Sequence, residues 1–379
     1  MRILNGIFIV LFMAVLTLPL VFVDLSSDRV SVRENRMLAQ RPEIDDMKHH
    51  PGTFIRDFDT WFKDSTGFRD RLVTLYNTVD KNWHNTVWYK EGYLVFLVGE
   101  QGHHYSVHPG QIQKFQGKQV LSDDQLTNMA AKLEEVKTYL EKQGIPLIVM
   151  FCTDKESIYP EFYPKVIRRG PEPIQLDIIT RYLQEHTTVD VFNIRQALLA
   201  EKNNYLLYPL VDNWASAPRD VAHYNEIGAF FAYRDLMKHI NIYFPEIISY
   251  ELSDIDIRYD RVGTPNVSLK QEKVYKKLDK SFFNDVTIIR PFSNENEAYE
   301  NTEFDVPVIL SFRDSYAAEY YIGKYIANHF GKTIMIRWSN IGHIKEYIDR
   351  YKPDIVVFEA TERGLIEFAN CVAGIPKLP

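Results

Sequence analysis

Val306-Pro307-Val308-Ile309-Leu310-Ser311-Phe312-Arg313-Asp314-Ser315-Tyr316-Ala317 runs an apolar strand pattern into a polar turn. The apolar residues at 306–310 have the length of a strand buried on both faces. Beyond the turn, Ala318, Tyr321, Ile322 and Tyr325 recur at helical spacing, which predicts an amphipathic helix over 315–330. A serine at such a junction falls at the carboxyl edge of a parallel sheet, where open α/β folds place their sites. The amino end of that helix would present unpaired N–H groups to an oxyanion. Asp314 and Ser315 also suit a plain helix N-cap, a role both residue types fill routinely.

The same rhythm extends outward. Short apolar runs at 147–151, 189–192, 334–336 and 354–358 read as further strands, and 226–241 and 342–351 as helices between them. Ser122-Asp123-Asp124-Gln125 is a capping box. Met129, Leu133, Val136 and Leu140 follow at helical spacing until Gly144, and Pro146 bars any continuation. Apolar strands alternating with helices predict an α/β fold, a parallel sheet flanked by helices. Upstream, 54–83 is helix-like, and 86–108 is rich in Tyr, Val and Gly as in a hairpin. Residues 250–305 lack the rhythm and read as an insertion of loops. No internal repeat is present.

With 379 residues, 45% of them hydrophobic, the chain easily buries a core. A net charge of −7 and the lack of a dense basic run exclude a nucleic-acid partner. The 23 Tyr and 23 Phe fill cores and can also line sugar-binding grooves. Residues 3–23 form an uncharged, mainly apolar run between Arg2 and Asp24, long enough to span a bilayer and followed by no small-x-small cleavage pattern. The charge ahead of it orients the rest outside the cytoplasm. The expected organisation is a single-pass anchor at 1–24, a stem with a helix at 25–86, and one α/β domain at 87–379 on the periplasmic or extracellular face. Two cysteines, Cys152 and Cys371, are too few for a disulfide framework, and Cys152 reads as a buried thiol.

The second chemical signal is Asp220-Val221-Ala222-His223-Tyr224-Asn225-Glu226-Ile227-Gly228-Ala229. An aspartate three residues before a histidine can hold one ring nitrogen and leave the other for a serine. Asn225 is placed to cap the following helix, fixing His223 just outside its start. Other patterns carry less. Gly331-Lys332-Thr333 is a P-loop tail without its front. His103, His104 and His108 lie among Gly, Ser and Pro without a His-Glu-x-x-His pattern. Glu359 and Glu362 sit at a strand end as partners for Arg363 or as helix caps rather than as a glycosidase pair. Lys155, after a strand end, could meet substrate or pair with Asp154 or Glu156.

Taken in order, several stretches resemble one known family, the circularly permuted SGNH-hydrolase-like acyltransferases of the alginate O-acetyltransferase (AlgJ/AlgX-like) and DHHW type. They are Glu34-Asn35-Arg36-Met37-Leu38-Ala39, Gly67-Phe68-Arg69-Asp70, and Ser157-Ile158-Tyr159-Pro160-Glu161. His223-Tyr224-Asn225 with Gly228-Ala229, Asp314-Ser315-Tyr316, and Pro353-Asp354-Ile355-Val356-Val357 with Glu359 and Glu362-Arg363 complete the set. In ordinary SGNH hydrolases the serine comes first; here His223 precedes Ser315, as in the permuted family. The resemblance implies a flavodoxin-like SGNH fold, Ser315 as nucleophile, His223 as its base and Asp220 as the residue orienting His223. Val221 stands where the family has its aspartate, so Asp212 is the runner-up. Tyr224 replaces a tryptophan and Arg313 a glycine. The backbone N–H of Ser315 or Tyr316 with Arg337 is the candidate for oxyanion contact, and Lys155 for substrate contact. The implied activity is acetyl transfer to hydroxyls of an exported or cell-surface polysaccharide, with a multi-spanning membrane-bound acyltransferase as donor and neither cofactor nor metal. An esterase using the same residues and a non-catalytic polysaccharide-binding subunit are the alternatives.

Overall fold

The computed structural model describes residues 38–49, 51–68, 89–91, 94–106, 110–118, 120–210, 221–259, 265–271, 276–283, 296–301 and 307–379, with short pieces of the first 37. The chain divides into two compact units, residues 1–99 with 106–108, and residues 100–105 with 109–379. About half of the apolar run 3–23 lies outside the described residues. Among the described residues no helix is long and apolar enough to cross a membrane.

In the first unit a helix, Pro51–Ser65, precedes a hairpin of Tyr89–Glu91 with Leu94–Val98. The Ala39 amide donates to the buried Asp64 carboxylate at 2.9 Å, which ties the Leu38-Ala39 stretch to that helix. Gly67 follows because a side chain there would run into the Phe22 backbone, 2.5 Å away.

Among the described residues the second unit is built on a seven-stranded sheet. Its strands are β1 (Leu147–Cys152), β2 (Asp190–Asn193), β3 (Lys276–Lys277), β4 (Glu297–Glu300), β5 (Val308–Arg313), β6 (Lys332–Arg337) and β7 (Ile355–Thr361). The spatial order is β3-β4-β6-β5-β7-β1-β2. From β6 to β2 every pairing is parallel, and β4 and β3 add an antiparallel edge. All residues of β1 and β7 are buried, which is why β1 and the first four residues of β7, 355–358, read as apolar runs, with Glu359 and Thr361 as buried polar groups at the end of β7. Leu147, Val149 and Phe151 enter one core, shared with helices α1 (Asp123–Glu141), α2 (Gln175–His186), α4 (Ile344–Tyr351) and α5 (Leu365–Ala373). Ile148, Met150 and Cys152 enter the other, shared with α3 (Glu226–Tyr243) and the segment after β5. The strand period of two divides the layers. Ser122 and Gln125 form the expected reciprocal cap on α1, and Gly144 takes φ 73° beyond its end.

Two expectations are corrected. No continuous helix follows β5: Ser315–Ala317 is a single 3₁₀ turn, Ala318 is extended, and Glu319–Gly323 and Lys324–Ile326 form two further short turns. The apolar spacing still buries Tyr321, Ile322 and Tyr325, but Gly323 packs on the Ala318 carbonyl and the backbone departs from helix at Tyr321. Nor is 250–305 only loop. Ile255–Tyr259 pairs with Pro265–Leu269, and the same region supplies β3 and β4. These strands are short, most of them partly exposed, and rich in polar residues, so no apolar run announces them.

Candidate active site

Ser315 stands at the carboxyl end of β5, and His223 in the loop just before α3. Though 92 residues apart in sequence, His223 Nε2 and Ser315 Oγ lie 2.7 Å apart, both half-buried. That is hydrogen-bonding distance for a nucleophile and its base. The His223 ring stacks on Tyr321, centroids 5.2 Å apart and planes at 8°, with Tyr316 at 4.6 Å.

The loop before α3 is fixed locally. Asn225 caps α3, its side-chain oxygen accepting from the Gly228 amide at 3.0 Å. The Asn225 amide donates to Leu207 O at 2.9 Å, and its side-chain nitrogen to Leu206 O at 2.5 Å. Gly228 is required because any Cβ there would strike the Leu207 carbonyl oxygen and lie 2.8 Å from Tyr224 Cβ. The His-Tyr-Asn…Gly pattern is thus a docking device: it presses the first turn of α3 on 206–207 and presents His223 at the rim. Asp220 and Asp212, the expected partners of His223, lie in 211–220, outside the described residues.

Asp314 is more than a cap. Its Oδ1 accepts from the Ser315 amide at 2.7 Å and from Arg337 Nη1 at 2.5 Å, and its Oδ2 from Thr361 Oγ1 at 2.7 Å. Its own amide donates to Glu359 Oε2 at 2.6 Å. Burial pushes the Asp314 carboxyl up, but Arg337, Thr361 and the Ser315 amide outweigh it and hold the group well below the usual carboxylate range. Glu359 is the converse. Full burial, reinforced by the Asp314 charge, raises it to about 7 despite the Asp314 amide. Arg313, in the family's glycine position, turns to the sheet edge, where it bonds Glu297 at 2.9 Å.

Beneath the pair lies a buried charged cluster. Asp154 meets Lys114 at 3.2 Å and Arg363 at 3.6 Å. Burial opposes its ionisation, and Arg363 and Lys114 overcome this, so its acidity is increased. Glu362 accepts from Thr153 Oγ1, the Asp154 amide and Ser157 Oγ at 2.8–3.0 Å, stapling the end of β7 to the end of β1. Glu359 and Glu362 are 1% and 3% exposed, which removes them as a glycoside-cleaving pair.

Of the candidates for substrate contact, Arg337 alone is partly exposed, its side chain at 24%. Lys155 is corrected as a substrate contact: it is 1% exposed, and its ammonium donates to the carbonyls of His104, Pro209 and Leu210. The Tyr316 candidate is its backbone N–H, and its side chain turns away from that role. It is fully buried, with its hydroxyl against Ala222 O and, at 3.1 Å, Asp154 Oδ1. Sequence reading missed Tyr321 and Thr361, and neither carries a motif of its own. The cysteines are free thiols, Cys152 buried.

No protein-family model matches the chain, and no curated protein matches it. Solved structures do. A DHHW family protein from Eubacterium siraeum superposes with a TM-score of 0.50 at 13% identity, over 76% of this chain and 96% of that one. PatB1 of Bacillus cereus gives 0.49 at 13% identity, over 72% and 97%. The O-acetyltransferase domain of Pseudomonas putida AlgJ gives 0.43 at 11% identity, over 73% and 98%. At these identities the likeness is one of fold. A central, mostly parallel sheet flanked by helices is shared with the DHHW protein, a member of the family whose motifs the sequence resembles.

Proposed function

We propose that this protein is an O-acyltransferase that carries an acetyl group on Ser315 and delivers it to a hydroxyl of an exported or cell-surface polysaccharide. The observation that carries the reading is the 2.7 Å contact between His223 Nε2 and Ser315 Oγ at the carboxyl edge of the sheet. The motifs that resemble the alginate O-acetyltransferase type support the choice of acyl group and acceptor.

In the forward half-reaction His223 Nε2 takes the Ser315 hydroxyl proton as Oγ bonds to the acetyl carbonyl carbon. The carbonyl π electrons move onto oxygen, and as the tetrahedral intermediate collapses the donor's leaving oxygen receives the proton from His223. In the second half, His223 takes the proton of an acceptor hydroxyl. That oxygen attacks the acetyl-serine, and Ser315 Oγ leaves with the proton returned by His223. Asp220, or else Asp212, would orient His223. Arg337, tied to Asp314 beside the nucleophile, would face the oxyanion. The apolar run 3–23 supports a membrane anchor with the site outside the cytoplasm. Acetyl thioesters are not expected there, so the donor would be supplied by a multi-spanning acyltransferase in the same membrane.

The test is intact-mass analysis after exposure to p-nitrophenyl acetate. One acetyl adduct per chain is expected in the wild type and none in Ser315→Ala. His223→Ala should acylate about 10²-fold more slowly or worse. Added oligosaccharide that shortens the adduct's life and gains acetyl identifies a transferase; loss to water alone identifies an esterase. A wild type that forms no adduct and releases no acetate refutes the enzyme reading.

A further inference from the structure

The nucleophile and the base sit on separate loops, and two tyrosines join those loops on both flanks of the pair. Tyr316, immediately after Ser315, places its hydroxyl on the carbonyl of Ala222, immediately before His223. Tyr224, immediately after His223, donates its hydroxyl to the carbonyl of Tyr316 at 2.5 Å. Each tyrosine therefore reaches from one loop to the backbone of the other. The rings meet edge to face at 4.8 Å, and both side chains are buried, at 0% and 1% exposure. Arg363 backs the latch, its Nη2 donating to Ala222 O at 3.2 Å with the guanidinium 5.0 Å from the centre of the Tyr316 ring. The Tyr316 hydroxyl also meets Asp154, which Lys114 and Arg363 hold.

We propose that Tyr224 and Tyr316 are positioning residues that set the Ser315–His223 separation through these reciprocal bonds; the inference rests on the acyl-transfer reading above. Neither hydroxyl touches substrate. Without the Tyr224 hydroxyl the Tyr316 carbonyl loses that donor, without the Tyr316 hydroxyl Ala222 O loses one donor and keeps Arg363, and in either case the two loops are free to shift relative to each other. Misplacement of a catalytic pair by about 1 Å can cost about 10²-fold in rate.

The experiment measures the rate constant of Ser315 acylation by p-nitrophenyl acetate, from nitrophenolate release checked by intact mass. It compares wild type, Tyr224→Phe and Tyr316→Phe, and each Phe change again in a His223→Ala background, with thermal midpoints alongside. Both Phe variants should acylate about tenfold or more slowly with little change in KM. In the His223→Ala background the same changes should alter the rate less than about twofold, because a residue acting through the base has nothing left to position. Wild-type rates in folded Phe variants would overturn the proposal. So would equal slowing in both backgrounds, the mark of a merely structural role. Should Tyr316→Phe fail to fold, Tyr224→Phe decides alone. A wild type that never acylates refutes the acyl-transfer reading itself, and the latch with it.

Discussion

Glu359 offers a stability test that does not depend on knowing the substrate. Its carboxyl is fully buried on β7, beside the end of β5, and raised from 4.5 to about 7, first by burial and then by the charge of Asp314. A raised carboxyl favours folding while it is protonated. The contribution is complete below the unfolded value near 4.5 and is lost as pH rises to and through about 7. At about 1.4 kcal/mol per unit, the window corresponds to a loss of roughly 3 kcal/mol. Glu359→Gln keeps an oxygen for the Asp314 amide and copies the protonated acid, but cannot ionise. The variant should therefore be close to wild type near pH 4.5 and gain on it by roughly 3 kcal/mol by pH 7.5. Urea unfolding of both proteins at half-unit pH steps, followed by far-UV circular dichroism, reads the difference directly, since every other titrating group is common to both. A difference that stays flat across this window would show that Glu359 ionises normally in the folded protein, and the account of the buried acids under Ser315 would fall with it.

Gly228→Ala places a methyl against the Leu207 carbonyl and Tyr224 Cβ. It should cost about 1–3 kcal/mol of stability in denaturant titrations and slow acylation, because the start of α3 carries His223. Lys155→Met leaves the carbonyls of His104, Pro209 and Leu210 without their ammonium donor. The expected loss is at least about 3 kcal/mol, with an unchanged acylation rate per folded molecule; a slower rate at full folding would restore Lys155 as a substrate contact. Arg337→Ala removes the principal charge holding Asp314 ionised. A depressed carboxyl stabilises above its unfolded value and loses that contribution as pH falls, so acid unfolding should begin at a higher pH in the variant, as read by fluorescence.

The parallel core was legible because a strand buried on both faces is mainly apolar, as 147–151 and 355–358 are. The Ser122–Gln125 cap and the Asn225 cap were legible because capping is local chemistry. The pairing of His223 with Ser315 came from the order of motifs rather than from spacing, and nothing in either loop alone encodes a distance across 92 residues. The role of Asp314 could not be read at all. Two of its partners lie on β7, and the register that sets Phe312 opposite Phe358, and so brings Glu359 to the end of β5, is a property of the assembled sheet. The apolar period after Ser315 was read correctly as burial and wrongly as a helix. Side-chain spacing reports which residues face the core, whereas Ala318 and Tyr321 leave helical geometry for backbone reasons.

That missing helix changes the electrostatics expected of the site. A long helix beginning at Ser315 would bring a positive dipole end to the nucleophile. A single 3₁₀ turn brings almost none, and the Ser315 amide is already donated to Asp314 at 2.7 Å. The local field is set instead by the Asp314–Arg337 pair, which is neutral as a whole but uneven in its exposure. Asp314 is enclosed by Thr361, the Ser315 amide and Arg337, with its side chain 12% exposed against 24% for Arg337. The more accessible charge is thus the cation, and it is anchored to the residue next to Ser315. In the acyl-transfer reading, Asp314 holds that guanidinium in place before substrate arrives. Negative charge developing on the acetyl oxygen then meets a fixed cation and not a reorienting one, which is the condition under which electrostatic stabilisation is most effective.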